Sequence, residues 1–200
     1  MFTNIFFNIL AAVVFLFIFW KKLKEDYIPN QIFSAAFSAI LGVLLANILI
    51  FNFFPSWWFW ASLIGFCAGL TISIYRFKLR FFEVLDSSVI AALPWLLIIF
   101  LVNSVAFAST SSLVASVFIL LLILIYLFSD AHYRKFTWYK SGRIGFSGLT
   151  VVGLFFLTRS LVALAFDNVL SFVGKTEIYF STTLAIVSFF AIYSLSKKEI

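Results

Sequence analysis

Long apolar runs alternate with short polar segments along the whole chain. Within each run the apolar residues are continuous and do not alternate with polar ones, which favours helices over the strands of a membrane barrel. A bilayer core about 30 Å thick takes roughly 20 apolar residues in one helix. We therefore predict an all-α membrane protein with seven transmembrane helices, at 2–20, 32–54, 57–75, 88–107, 113–128, 144–166 and 179–195.

Composition agrees with the bilayer as the solvent. Hydrophobic residues make up 64% of the chain and charged residues only 11%, whereas soluble domains carry about a quarter charged residues. We predict one transmembrane domain over residues 1–200 and no separate soluble domain. The net charge of +6 comes from scattered basic residues that form no patch, so nucleic acid is not an expected partner. The single cysteine, Cys67, excludes a disulfide framework within one chain.

The basic residues gather in alternate connections between the predicted spans. Loops rich in lysine and arginine stay in the cytoplasm, so this pattern predicts an N-terminus outside, a cytoplasmic C-terminus, and a multi-pass protein of the plasma membrane. The remaining connections, on the other side of the membrane, contain a single basic residue, Lys175. The cytoplasmic set is Lys21, Lys22, Lys24, Arg76, Lys78, Arg80, Arg134, Lys135, Lys140, Arg143, Lys197 and Lys198. Trp57, Trp58 and Trp60 then lie near the outer interface, as in an aromatic belt.

Three polar side chains stand out inside the predicted spans: Asn47, Asn103 and Arg159. Each is about fifteen residues, or roughly 22 Å, from the cytoplasmic end of its helix, which predicts a shared depth in the outer leaflet. An arginine at the centre of a span costs about 2.5–3.5 kcal/mol on insertion scales. A partner must therefore offset the charge of Arg159.

Two hypotheses explain these residues. In the structural one, Arg159 pairs with Asp167 and Asn103 bridges two helices. In the functional one, Arg159, Asn103 and Asn47 bind a phospholipid headgroup, because the guanidinium fork donates parallel hydrogen bonds to phosphate and amides complete the cradle.

Other chemical signatures are absent from the sequence. The one histidine, His132, lies in a basic loop, and there is no zinc spacing, phosphate-binding glycine loop or nucleophile elbow. We therefore predict no metal site and no cofactor. Glu83 and Asp86 are interpreted as acidic residues that satisfy free amides at the start of the fourth span.

Several segments resemble the prolipoprotein diacylglyceryl transferase family. Residues 37–50, FSAILGVLLANILI, resemble the family span that carries G-x-R-L-G-Y, and residues 58–65, WFWASLIG, resemble F-H-G-G-L-I-G. Residues 76–86, RFKLRFFEVLD, resemble the basic turn, aromatic pair and aspartate before the span that ends in R-x-G-N-F. Residues 140–149, KSGRIGFSGL, and 155–159, FFLTR, resemble the span with Y-G-x-x-R. The family topology is also seven spans with the N-terminus outside.

The resemblance implies a role for individual positions. Arg159 and Asn103 match the arginine of Y-G-x-x-R and the asparagine of R-x-G-N-F. Asn47 and Phe100 stand where the family has arginines, and Trp60 stands where it has a histidine. The family's head region and its H-P-T-Q-L-Y-E motif have no counterpart in the short stretch between Phe107 and Leu113.

The family reaction transfers diacylglycerol from phosphatidylglycerol to a cysteine thiol of a lipoprotein precursor. It requires an activated thiol and a stabilised phosphate leaving group. With the histidine and two arginines replaced, we expect a reduced relative that binds phospholipid, with phosphatidylglycerol and a lipoprotein precursor as expected partners and catalytic residues unknown. A minimal active transferase and a non-catalytic structural or accessory subunit are the alternatives.

Overall fold

The computed structural model describes residues 2–51, 53–139, 144–165 and 172–197, with the backbone alone for 2–5. Asp167, Lys140, Arg143 and Lys198, which enter the predictions above, lie outside these residues. Within the described ranges all regular structure is helical, and seven helices are long and apolar enough to cross a membrane. The predicted number of spans is therefore confirmed. The helices are α1 (Phe2–Leu23), α2 (Pro29–Phe51), α3 (Trp58–Phe77), α4 (Phe81–Phe107), α5 (Thr110–His132), α6 (Phe146–Ala165) and α7 (Thr176–Lys197).

The largest difference from the predicted boundaries is at the start of α4. This helix begins at Phe81 and not near 88, so Glu83 and Asp86 lie inside its first turns. The hydrophobic pattern places the boundary too late because it treats charged residues as loop. Both carboxylates are buried in the structure, so the helix continues through them.

Helix α4 is at the centre of the helix packing. It contacts α1, α3, α5 and α6, while α2 packs mainly on α3 and α7 packs on α6. We call the end at which α1, α3, α5 and α7 finish the basic end, because the described lysines and arginines of the predicted cytoplasmic set are found there. The other end is called the opposite end.

Apolar side chains divide between helix interfaces and the outer surface. One buried cluster, contributed by α1, α2, α3 and α4, includes Phe15, Phe19 and Ala35. Leucine, isoleucine and phenylalanine side chains on the outer faces remain exposed; Ile48 is 63% exposed and Phe190 68%. Exposed apolar side chains of this kind are stable in contact with lipid tails, whereas their exposure to water costs free energy.

Glycines allow α2 and α3 to approach at backbone distance. A Cβ added to Gly69 would lie 2.2 Å from the carbonyl oxygen of Ser38, and one added to Gly42 would lie 2.1 Å from the carbonyl oxygen of Gly65. The Ser38 hydroxyl donates to the Gly69 carbonyl at 2.9 Å. Small residues at such crossings are typical of membrane helix pairs. Gly65 and Gly69 therefore form the centre of the α2–α3 interface.

We expect Gly69→Ala to destabilise the fold by about 1–3 kcal/mol, the usual cost of overpacking a tight interface. The added methyl group meets backbone atoms of α2, so the two helices must separate. The measurement is the free energy of unfolding of the purified protein in detergent. Ala68→Val is the matched control because Ala68 is exposed on the same helix. Equal losses in the two variants would contradict the close contact between α2 and α3.

Candidate functional site

The three residues predicted to bind a headgroup all lie toward the opposite end of the bundle. Asn47, Asn103 and Arg159 are each within two turns of the last described residue of α2, α4 and α6 respectively. The structure thus places all three toward the same end of the bundle, while their equal depth stays a prediction. Their surroundings, however, differ from one residue to the next.

Arg159 forms an ion pair with Glu177 on the neighbouring helix α7. Its Nε donates to Oε1 of Glu177 at 2.5 Å, and the Arg159 side chain is 9% exposed while that of Glu177 is fully buried. Desolvated charges of this kind are tolerated when they are paired and hydrogen-bonded. Glu177 therefore offsets the intramembrane charge of Arg159.

The carboxylate of Glu177 accepts two further hydrogen bonds. The indole Nε1 of Trp60 donates to Oε2 at 2.9 Å, and the hydroxyl of Ser181 donates to Oε1 at 2.7 Å. Since Trp60 is on α3, Arg159 on α6 and Glu177 on α7, one carboxylate joins three helices. We call these four side chains, Trp60, Arg159, Glu177 and Ser181, the carboxylate tie.

Aromatic rings surround the carboxylate tie. The guanidinium carbon of Arg159 lies 3.7 Å from the ring centroid of Phe59 and 4.7 Å from that of Phe172, so cation–π attraction adds to the ion pair. Trp60 stacks on Phe156 with ring centroids 6.0 Å apart. These rings exclude water, which strengthens the electrostatic attraction between Arg159 and Glu177.

Trp60 does not belong to an aromatic belt as the sequence suggests. It is 6% exposed, whereas Trp58 in the same group is 37% exposed. Hydrophobicity predicts that a tryptophan lies near the interface, but not whether it faces lipid or a neighbouring helix. Here the buried carboxylate of Glu177 provides the hydrogen-bond partner that a buried indole requires.

Asn47 forms a polar link between α2 and α3. Its Nδ2 donates to the Ser62 hydroxyl oxygen at 2.7 Å and to the Val43 carbonyl oxygen at 2.9 Å. Such interhelical hydrogen bonds hold membrane helices together. Asn47 thus has a packing role that requires no ligand.

Asn103 is placed differently from both of the other residues. Its side chain is exposed, while that of the adjacent Ser104 is buried. In the part of the chain that the structure describes, no hydrogen bond joins Asn103 or Asn47 to Arg159. The structure places the three residues toward the same end of the bundle but does not join them in one set of contacts.

Glu177 is the residue that sequence reasoning missed. It follows Lys175 in a short polar stretch and precedes an apolar run, so it resembles an ordinary acidic residue at a helix start. The available signal was that an arginine inside a span requires a carboxylate at the same depth. The sequence suggested Asp167 because it follows Arg159 by eight residues. Glu177 is brought to Arg159 by the packing of α7 on α6.

A second group of buried polar contacts lies at the basic end, around Asp86. This side chain is 1% exposed; its Oδ1 accepts from the backbone N–H of Gly148 at 2.7 Å and its Oδ2 from the hydroxyl of Tyr126 at 2.5 Å. The interpretation of Asp86 as a residue that satisfies amides of its own helix is therefore wrong. Asp86 satisfies the start of α6 instead and joins α4 to α5 and α6.

Glu83 makes the corresponding link to the connection between α1 and α2. It accepts from the Tyr27 hydroxyl at 2.6 Å and from Nη1 of Arg80 at 2.9 Å. Burial raises the pKa of Tyr27, and the hydrogen bond to Glu83 raises it further. Tyr27 therefore keeps its proton at neutral pH and remains a donor.

No family model, curated protein or solved structure matches this chain. The family resemblance stays a prediction that rests on the segments quoted above. Within the described residues, no group of three or more histidine, cysteine, aspartate or glutamate side chains is arranged to hold a metal ion. The polar architecture of the bundle therefore has to be interpreted from its own contacts.

We expect Glu177→Ala to destabilise the folded protein by about 3–5 kcal/mol, because it removes the carboxylate that pairs with the buried guanidinium of Arg159. Arg159→Leu should destabilise the protein for the converse reason. The measurement is the free energy of unfolding in detergent or in nanodiscs. Lys175→Ala is the matched control because this charge is exposed two residues away. A loss no larger than that of the control would contradict a structural role for the ion pair.

Proposed function

We propose that this chain is a non-catalytic membrane protein with a structural or accessory role. The observation that carries the proposal is the pairing of Arg159 with the buried carboxylate of Glu177. The arginine on which the family resemblance places phosphate binding is engaged with a neighbouring helix. Its charge is accounted for by the fold, so no ligand is required to explain it.

The surroundings of Arg159 also argue against a transferase. Thiol attack needs a proton acceptor next to the nucleophile, and the position of the family histidine is held by Trp60, whose N–H donates and cannot accept. Glu177 is the carboxylate that contacts Arg159 in the described part of the chain, but three donors already occupy its oxygens. No other side chain in contact with the carboxylate tie is a candidate base, among those the structure describes.

Purified protein given phosphatidylglycerol and a lipobox peptide should show no diacylglyceryl transfer above background. The reason is that Trp60 stands where the family has its histidine, and Asn47 and Phe100 stand where it has arginines. The measurement is mass spectrometry of the peptide for the added diacylglyceryl group. Wild-type protein that transfers the group, while a folded Arg159→Lys variant does not, would overturn the proposal.

Binding of a phospholipid headgroup at the opposite end is the second candidate function. The specific observation in its favour is the exposed amide of Asn103 near the end of α4, since an amide at that level can donate to a lipid phosphate. Phosphatidylglycerol is the lipid that the family resemblance implies, and a lipoprotein precursor is the corresponding protein partner. Retention of phosphatidylglycerol that falls in Asn103→Leu would support this function over a purely structural role.

The proposed orientation places the basic end in the cytoplasm and the protein in the plasma membrane. It follows from the distribution of lysine and arginine over the connections. In a Cys67→Ala background, a cysteine at Ser111 should react with an impermeant maleimide in intact cells. A cysteine at Lys78 should react only after permeabilisation. Both positions are exposed, so the reverse pattern would contradict the orientation.

A further inference from the structure

The basic end contains a partly open cavity of about 380 Å³. Its volume falls within the range of small-molecule sites, about 300–1,000 Å³. The cavity lies beside the start of α6 and the end of α5, far along the bundle from the carboxylate tie. Its polar lining consists of Lys22, Asp86, Asp130, Tyr133, Arg134 and Ser147.

Ser147 is the first sign that this cavity takes a ligand. It is 2% exposed, it lines the cavity, and its Oγ has no hydrogen-bond partner within the described residues. Nearby hydroxyls are satisfied by their own helices: Ser88 donates to the Leu85 carbonyl at 2.8 Å and Thr150 to the Phe146 carbonyl at 2.8 Å. A buried hydroxyl without a partner is unfavourable, and a ligand in the cavity would satisfy it.

The acceptors that line the cavity are largely engaged by the protein itself. Asp86 accepts from Gly148 and Tyr126, and its Oδ2 lies 3.7 Å from Nζ of Lys22. Asp130 accepts from Nζ of Lys22 at 2.7 Å. The two carboxylates therefore hold Lys22 in place, and both oxygens of Asp86 already have protein donors.

Donors, in contrast, remain in excess. Nε of Arg134 donates to the hydroxyl oxygen of Tyr133 at 3.1 Å, which leaves the Tyr133 proton available. Across the described ranges, no acidic side chain lies within ion-pair distance of Arg134. The exposed guanidinium of Arg134 is attracted by Asp130 but forms no ion pair with it, so its remaining N–H groups can donate to a ligand. A lining with spare donors and engaged acceptors selects an acceptor-rich ligand.

The start of α6 adds to this preference. Phe146 is the first residue of a helix of 20 residues, and Gly145 before it has φ +111°, a left-handed conformation that glycine adopts at no steric cost. The positive end of the helix dipole favours an anion at this point. Asp86 already accepts from the Gly148 amide, so part of this field is neutralised by the protein.

We propose that this cavity is an oxyanion site that takes a phosphate group. Arg134 and Ser147 donate directly to the phosphate oxygens, and Lys22 supplies the inner positive charge. Two sources present this chemistry: the headgroup of a phospholipid in the adjacent leaflet, and a soluble phosphate or phosphate monoester. The site is independent of the carboxylate tie and of the non-catalytic role proposed above.

The test uses the full chain in nanodiscs of phosphatidylcholine alone and of phosphatidylcholine with phosphatidylglycerol. In the first set, inorganic phosphate and glycerol 3-phosphate are titrated while the thermal midpoint of unfolding is recorded. In the second set, retained lipid is counted by native mass spectrometry. A rise in the midpoint with soluble phosphate indicates the soluble source, and retention of phosphatidylglycerol alone indicates the headgroup.

Variants separate the site from general attraction to the basic end. Arg134→Gln and Ser147→Ala should each weaken phosphate affinity about tenfold or more, as expected for one hydrogen bond to a charged group. Lys135→Gln, an exposed neighbour of Arg134, and Ser88→Ala, a buried hydroxyl with an internal partner, are the matched controls.

Ser147→Ala has a further signature that a packing role would not produce. Without ligand it should unfold at the same temperature as the wild type or higher, since an unpartnered hydroxyl has been removed, yet it should lose the phosphate-induced rise. Absence of binding from both sources would overturn the oxyanion site. Equal losses of phosphate affinity in Lys135→Gln and Arg134→Gln would also overturn it, because they would indicate unspecific attraction to positive charge.

Discussion

A charged side chain inside a bilayer has no water to satisfy it, and this constraint determines how the helices of this protein associate. The arginine of α6 requires an anion at its own depth, and Glu177 at the start of α7 provides it. Because the carboxylate also accepts from Trp60 of α3, one buried charge holds three helices together. Hydrophobic attraction cannot provide such specificity, since lipid tails are as apolar as the helix surfaces.

A buried carboxylate also joins helices at the basic end, but there its hydrogen-bond donors are uncharged. There the buried acid is Asp86 of α4, and its donors come from α5 and from the first turn of α6. The two arrangements lie near opposite ends of the bundle, where the cost of a polar group is lower than at the bilayer centre. Between them the contacts are apolar or involve small residues, as in the α2–α3 pair.

The two ends differ in what they leave unsatisfied, and this difference separates structural from binding interpretations. At the carboxylate tie every oxygen of Glu177 has a donor, so the group is complete without a ligand. At the basic end both oxygens of Asp86 likewise have donors, but the Ser147 hydroxyl lacks a partner in the described part of the chain, and Arg134 forms no ion pair there. Unsatisfied donors around a cavity are a stronger indication of ligand binding than the presence of an arginine inside a span.

The sequence alone determined the helical class, the number of long apolar helices and the end of the bundle toward which Asn47, Asn103 and Arg159 lie, because hydrophobic run lengths are local properties. It also showed that Arg159 requires a partner. Only the tertiary structure decided that the described partner is Glu177, that Trp60 is buried, and that Asn103 stands apart. Those outcomes depend on which faces of distant helices meet, and a uniformly apolar surface carries little information about rotation or pairing. The start of α4 was missed for a related reason: Glu83 and Asp86 resemble loop residues until α5, α6 and Tyr27 supply their donors.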